Sequence, residues 1–261
     1  MKQRIVTGLI GGAGFLLLIW LGGIWYSLLI VLLAVIGLYE FMRMAGLPGF
    51  GLPGVLGYVL MGSILWPSLA FSSLWRGEVP DLLLPVFLLL LSYSVWRKNQ
   101  FHVEHIALTI VGALYIGYGF TYMAATRGQP DGLVLTLLTI LGIWATDSGA
   151  YFIGKAWGRK KLLPAISPNK TVEGSVGGLA LAIVVVLGLN AWFGNLPLPQ
   201  ALALALVTGI AGQLGDLIES ALKRHFGIKD SGRLIPGHGG VLDRFDSVML
   251  VFPVLHLLGI V

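Results

Sequence analysis

The residues best suited to chemistry are gathered in one stretch, 213–247, which reads QLGDLIESALKRHFGIKDSGRLIPGHGGVLDRFDS. It leaves one apolar segment and runs into another. Asp216 sits in the apolar part, where a carboxylate is expensive to hold and marks a functional site by default. At helical spacing Asp216, Ser220 and Lys223 share one stripe, with Glu219 alongside. The stripe offers a carboxylate, a hydroxyl and a cation in rising order towards water. The plainer reading is a structural ion pair of Asp216 with Lys223 or Arg224. Two further acids, Asp243 and Asp246, lie three residues apart and share a helical face, while Arg244 points elsewhere. Asp246 reads equally well as the N-cap of the next helix. Clustered carboxylates beside Lys and Arg suit Mg2+ held by one or two carboxylates plus substrate phosphates. Such an ion would neutralise charge developing on phosphate oxygens while cations hold the leaving group.

Three shorter clusters extend this set. Between the acids runs Pro236-Gly237-His238-Gly239-Gly240. Glycines let a backbone approach a ligand closely and present N–H donors to anions. His238 reads as a general base, a phosphate ligand or a plain loop residue. A second segment is Ser167-Pro168-Asn169-Lys170-Thr171-Val172-Glu173-Gly174. There Lys170, just before an apolar run, is placed to reach a phosphate at the interface or to serve as topological charge. Thr171 and Glu173 make no clean capping box, because the acid is two residues on rather than three. Lys155, Arg159, Lys160 and Lys161 read as a solvated basic surface. The third cluster is Asp147-Ser148-Gly149-Ala150-Tyr151. Asp147 is a second intramembrane carboxylate, suited to a metal, to a nucleotide pocket or to helix packing.

The elements that must position these groups are apolar helices. A spanning helix needs about 20 mostly apolar residues. Nine windows approach that length: 5–21, 24–42, 52–71, 82–96, 106–125, 133–154, 174–193, 200–218 and 248–261, the fourth and ninth being short. With the N-terminus in the cytoplasm, fifteen of the seventeen Lys and Arg fall in inside segments, leaving only Arg76 and Arg127 outside. Ten of them lie in just two inside loops, the sixth-to-seventh and eighth-to-ninth connections. Charge needed only for topology would have no reason to be so concentrated. Mixed with acids and glycines it suits a polyanion, or else a surface anchor for anionic lipid. The expected fold is therefore all-α: a polytopic membrane helix bundle of about nine spans with a cytoplasmic N-terminus. It is one integral membrane unit, with N-terminal helices over 1–130 and catalytic helices and loops over 131–261.

Composition closes off other classes. The 261 residues are 56% hydrophobic and 11% charged, against about 25% charged in soluble domains. The absence of cysteine excludes a disulfide framework, a thiolate metal site and a cysteine nucleophile. The net charge of +5 is distributed for membrane topology and phosphate, not for nucleic acid. The opening Met1-Lys2-Gln3-Arg4 followed by an apolar run reads as a retained first helix rather than a signal peptide. No Walker A, H-E-x-x-H or G-x-S-x-G pattern occurs. A secondary transporter would also place carboxylates in the membrane, but the two halves show no internal repeat. An Asp-rich intramembrane prenyltransferase is matched only loosely by Asp243-Arg244-Phe245-Asp246, and the D-G-x-x-A-R pattern of CDP-alcohol phosphotransferases is absent.

The stretch from Ser220 to Asp246, S-A-L-K-R, then K-D, then P-G-H-G-G-V-L-D-R-F-D, resembles the signature of the phosphatidate cytidylyltransferase family. The segments 147–151, 167–174 and 213–220 resemble that family's other characteristic stretches. The matched pieces cover about the C-terminal half of the chain. Position 148 is Ser where the family more commonly carries Thr, which keeps the hydroxyl. The resemblance implies CTP as nucleotide and phosphatidic acid as acceptor. It implies a Mg2+-dependent site at the cytoplasmic side of the inner (plasma) membrane and a homodimer. A second cation such as K+ follows on the same ground. It further implies that Asp216 and Asp243 are metal-site carboxylates, with Asp246 and Asp147 in support. Lys223 and Arg224 join the catalytic set. Lys170, Ser167, Lys229, Arg244, His238, Gly239, Gly240 and Ser220 form the substrate-binding set. A CTP-dependent enzyme acting on another phosphorylated lipid, such as an ether lipid, would share this head-group chemistry.

Overall fold

The computed structural model describes residues 2–72, 81–193, 196–232 and 239–261. The elements in chain order are α1 (Lys2–Leu21), α2 (Gly23–Met44), α3 (Leu52–Leu65) with a 3-10 turn Trp66–Ser68, α4 (Leu83–Trp96), α5 (Val103–Gly128) and α6 (Gly132–Trp157). A hairpin of β1 (Lys161–Leu163) and β2 (Ser167–Thr171) follows, then α7 (Val172–Phe193), α8 (Leu198–His225) and α9 (Leu242–Leu257).

The helical class is as expected, with one exception. The sixth-to-seventh basic loop is not irregular but folds as an antiparallel hairpin, pairing Lys161 with Thr171 and Leu163 with Ser167. Pro164 in the turn and Pro168 on the strand suit a two-stranded ribbon, where an edge position spares the missing N–H.

Among the described residues, five helices, α2, α5, α6, α7 and α8, are long and apolar enough to cross a membrane. Three shorter apolar stretches, Ile10–Leu21, Leu52–Ser68 and Leu83–Trp96, accompany them. Large apolar side chains point outward along these helices, among them Trp25, Leu28 and Leu32 on α2 and Val176, Val184 and Trp192 on α7. Such faces need lipid as their solvent, and the chain is a multi-pass membrane protein.

By internal packing the chain divides into two compact units, one of residues 1–125 and 230–244, the other of residues 126–229 and 245–261. In the first unit, α2 buries Ile30, Ala34, Leu38 and Phe41 at helical spacing, beside Ile116 and Phe120 of α5 in the fully buried set. Polar links hold the irregular ends: the Ala70 N–H donates to Ser27 Oγ at 2.8 Å, and Thr121 Oγ1 donates to the Ile64 carbonyl at 3.1 Å.

In the second unit, α6 and α7 approach backbone to backbone. A Cβ on Gly149 would stand 2.9 Å from the Gly177 carbonyl, and one on Gly178 would stand 2.6 Å from the Thr146 carbonyl. Small residues at such a crossing replace the hydrophobic drive that lipid removes. Helix α8 is tied to both neighbours, by Gln213 Nε2 donating to the Ser175 carbonyl of α7 and by Ser247 Oγ of α9 donating to the Gly212 carbonyl. The α7–α8 connection is closed by Asn190, which exchanges two hydrogen bonds with the Leu196 backbone.

Candidate active site

The second unit builds a polar focus from β2 and α8. Its centre is Asp216, a third of the way exposed on α8. Lys170 Nζ, at the end of β2, lies 2.7 Å from Asp216 Oδ2. Ser220, one turn further along α8, donates its hydroxyl to Asp216 Oδ1 at 3.2 Å. Asp216 therefore does pair with a cation, but with neither Lys223 nor Arg224.

The local sequence explains how Lys170 reaches this place. Thr171 is the N-cap of α7, its Oγ1 accepting the Gly174 N–H at 3.1 Å. The Val172 N–H bonds back to the Lys160 carbonyl at 2.8 Å. Glu173 reaches across to accept the backbone N–H groups of Arg159 and Lys160. The hairpin is thus stitched at its base to the start of α7, and Lys170 is held one residue before the cap. Ser167 begins β2, on the same ribbon. The basic residues 159 and 160 stay exposed, as a solvated surface would.

Lys223 is engaged by Glu219, which is buried on the same helix. Arg224 is exposed and donates from Nε to the Ile166 carbonyl at 3.4 Å and from a terminal nitrogen to the Ile228 carbonyl at 3.3 Å. It thereby joins the end of α8 to the hairpin turn. Lys229 is exposed beyond that end.

Asp246, on α9, and Asp147, on α6, belong to the same unit. The charges of Asp216 and Asp147 both bear on the Asp246 carboxylate, and Lys223 opposes them. Helix α9 begins at Leu242, so Asp246 lies in its second turn. The alternative N-cap role for Asp246 is corrected by that boundary. Asp147 is on the exposed side of α6.

Asp243 and Arg244 belong to the first unit. Asp243 stands in the first turn of α9. Its Oδ2 accepts three hydrogen bonds, from the Ser231 N–H at 2.9 Å, the Ser231 hydroxyl at 3.0 Å and the Gly240 N–H at 2.8 Å. Gly239 takes a φ of 81°, a left-handed value that suits glycine, and a Cβ there would meet Asp243. Gly239 and Gly240 therefore wrap a carboxylate of the chain itself. Arg244 is exposed. His238 lies outside the described residues.

One participant was missed in the sequence. Glu40 of α2 is 4% exposed and accepts the Leu242 N–H at 3.0 Å. An acid inside the second apolar run is a signal of the same kind as Asp216.

Among the described residues, no three acidic or imidazole groups stand together as a ready-made metal cage. That suits an ion held by one or two carboxylates with substrate phosphates completing the shell. Asp216, a carboxylate partly open to solvent, could serve as such a donor.

Sequence comparison decides the family. The cytidylyltransferase family model matches residues 2–261. This chain belongs to the cytidylyltransferase family. Within it, the chain is 42% identical to the phosphatidate cytidylyltransferase of Bacillus subtilis (strain 168), over 99% of this chain and 97% of that protein. It is 41% identical to the phosphatidate cytidylyltransferase of Staphylococcus haemolyticus (strain JCSC1435), over 99% and 98% respectively. The match covers the N-terminal helices of this cytidylyltransferase family member as well as its motif-rich half.

Proposed function

We propose that this chain transfers the cytidylyl group of CTP to phosphatidic acid, forming CDP-diacylglycerol and releasing pyrophosphate in phospholipid biosynthesis. The relatives of known name support the reaction and both substrates. The single observation that carries the site is the Lys170–Asp216 ion pair, which joins β2 to α8 within one unit.

The phosphatidate phosphate enters from the inner leaflet with its acyl chains left in lipid, and CTP arrives from the cytoplasm. A phosphatidate oxygen attacks the α-phosphorus of CTP in line. The new P–O bond forms as the bond to the β-phosphate oxygen breaks, and pyrophosphate leaves with that electron pair. No protein nucleophile is needed, because the acceptor is already anionic. Catalysis is then positioning and charge neutralisation. Mg2+, when bound, neutralises charge on the phosphate oxygens. Asp216 would hold it, with Asp246 and Asp147 in support in the same unit, and the motif resemblance separately gives Asp243 a metal-site role. Lys170 is built to exchange its partner, releasing Asp216 and taking a substrate phosphate. Arg224, Lys229 and Lys223 extend the cationic field for pyrophosphate, and Ser220 orients the Asp216 carboxylate. Ser167, Arg244, His238 and the close-approaching backbone of Gly239 and Gly240 are assigned to substrate, with the Gly240 N–H itself kept by Asp243. A second cation such as K+ belongs to the same proposal.

The charge bias of fifteen cations against two supports nine crossings with the N-terminus and both basic loops in the cytoplasm. The membrane is then the plasma membrane, and the assembly a homodimer, which cross-linking in native membranes would test. The reaction is tested by purified protein in detergent with CTP and phosphatidic acid. Pyrophosphate release that requires the lipid supports the enzyme, and ion movement with no pyrophosphate release supports a transporter.

A further inference from the structure

Glu40 is an acid that neither the reaction nor the membrane explains. It lies within the spanning helix α2, 4% exposed, where an ionisable group is costly unless it has a task. Its Oε2 accepts the Leu242 N–H at 3.0 Å and faces the Ser231 hydroxyl at 3.4 Å. That hydroxyl also faces Asp243 Oδ2, at 3.0 Å. Ser231 has one hydroxyl proton, so Glu40 and Asp243 address a single donor from two sides. Among the described residues, Glu40 Oε1 is buried without a hydrogen-bond partner.

The chain closes tightly on this carboxylate. A Cβ on Gly232 would overlap Glu40 Oε1, and one on Gly240 would overlap both Glu40 Oε2 and Ser231 Oγ. The described ends of the segment between α8 and α9, 230–232 and 239–242, therefore fold around Glu40 as around a peg. The same ends supply the three hydrogen bonds that fix Asp243. A carboxylate on one helix orders the backbone that orients a carboxylate on another. Outer-shell partners of this sort tune the ligand they support.

We infer that Glu40 is a positioning residue for the cytidylyl transfer: it holds the Ser231–Gly240–Leu242 clasp and so sets the orientation of Asp243. The inference rests on the proposed reaction only for its kinetic consequence. The clasp itself is a property of the chain without ligand.

Two readouts test it on the purified full-length protein in detergent. The first is amide hydrogen exchange at Ser231, Gly240 and Leu242 without added metal or substrate. The second is steady-state kinetics with CTP, Mg2+ and dioleoyl phosphatidic acid. Glu40→Ala is expected to speed exchange at these amides about 10-fold. It should lower kcat about 10- to 100-fold, while KM for CTP stays within about 3-fold, since Glu40 touches no nucleotide in this account. Glu40→Gln still offers an oxygen to the Leu242 N–H, and should keep exchange within about 3-fold of wild type and recover most of kcat. If Glu40→Ala does not fold, Glu40→Asp, which withdraws the carboxylate by one methylene, is read in its place with the same expectation. Unchanged exchange, or faster exchange with wild-type kcat, would overturn the inference. A wild-type protein that makes no CDP-lipid would defeat the proposed reaction instead, and the exchange comparison would still decide the clasp.

Discussion

Lys170 Nζ and Asp216 Oδ2 form a 2.7 Å ion pair between the base of a hairpin and the middle of α8, both groups partly open to solvent. The pair joins two residues assigned to different ligands, one to phosphate and one to metal. A lysine and a divalent cation then compete for one carboxylate. The competition has a sign that can be measured.

Lys170→Ala should lower the Mg2+ concentration needed for half-maximal activity, because the ammonium no longer occupies Asp216. It should also lower kcat/KM by about 10-fold or more through the lost phosphate contact. Lys170→Arg should fall less. Titration of Mg2+ at fixed CTP separates the two effects. Equal, full activity for both variants would remove Lys170 from the site.

Ser220→Ala removes the hydroxyl that donates to Asp216 Oδ1. A loss of about 10- to 100-fold in kcat with little change in thermal stability is expected, as for one hydrogen bond to a charged group. Activity measured beside an unfolding curve in the same detergent checks both halves of this statement.

Thr171→Val keeps the side-chain shape and deletes the acceptor for the Gly174 N–H. It should destabilise the start of α7 by about 1 kcal/mol. Because Lys170 precedes the cap, the Mg2+ requirement should shift in the same direction as in Lys170→Ala. A stability change without that shift would separate the hairpin from the site.

Gly149→Leu forces a side chain into the α6–α7 crossing, where the Gly177 carbonyl lies in the way. Overpacking of this kind costs about 1–3 kcal/mol or more. The expected result is a large fall in folded yield by size-exclusion chromatography, whereas Gly188→Leu, at an open position on α7, should fold normally.

Much of the architecture was legible because lipid allows so few solutions. Long apolar runs had to be helices, and the acids within them had to be noticed. Asp216 stood out for that reason. The hairpin was hidden because Lys161–Leu163 and Ser167–Thr171 are too short and too polar for a period-two pattern to register. The Lys170–Asp216 pair joins residues far apart in the chain, and helix spacing reaches only three or four positions. It favoured Lys223 as the partner, whereas Lys223 is engaged by Glu219. Thr171 was read against a capping box and passed over, although its hydroxyl caps α7 without the reciprocal acid. Glu40 was overlooked because its partners come from a segment about two hundred positions later, brought to it only by the fold.

The most direct test follows the label in CTP radiolabelled at the α-phosphorus, with phosphatidic acid and Mg2+, for wild type and Asp216→Asn. The account predicts that label enters the lipid fraction in wild type, and that chelation of Mg2+ abolishes transfer. It predicts that Asp216→Asn loses transfer on the order of 100-fold while remaining folded. Lipid labelling by Asp216→Asn at the wild-type rate, or transfer unaffected by chelation, would contradict it.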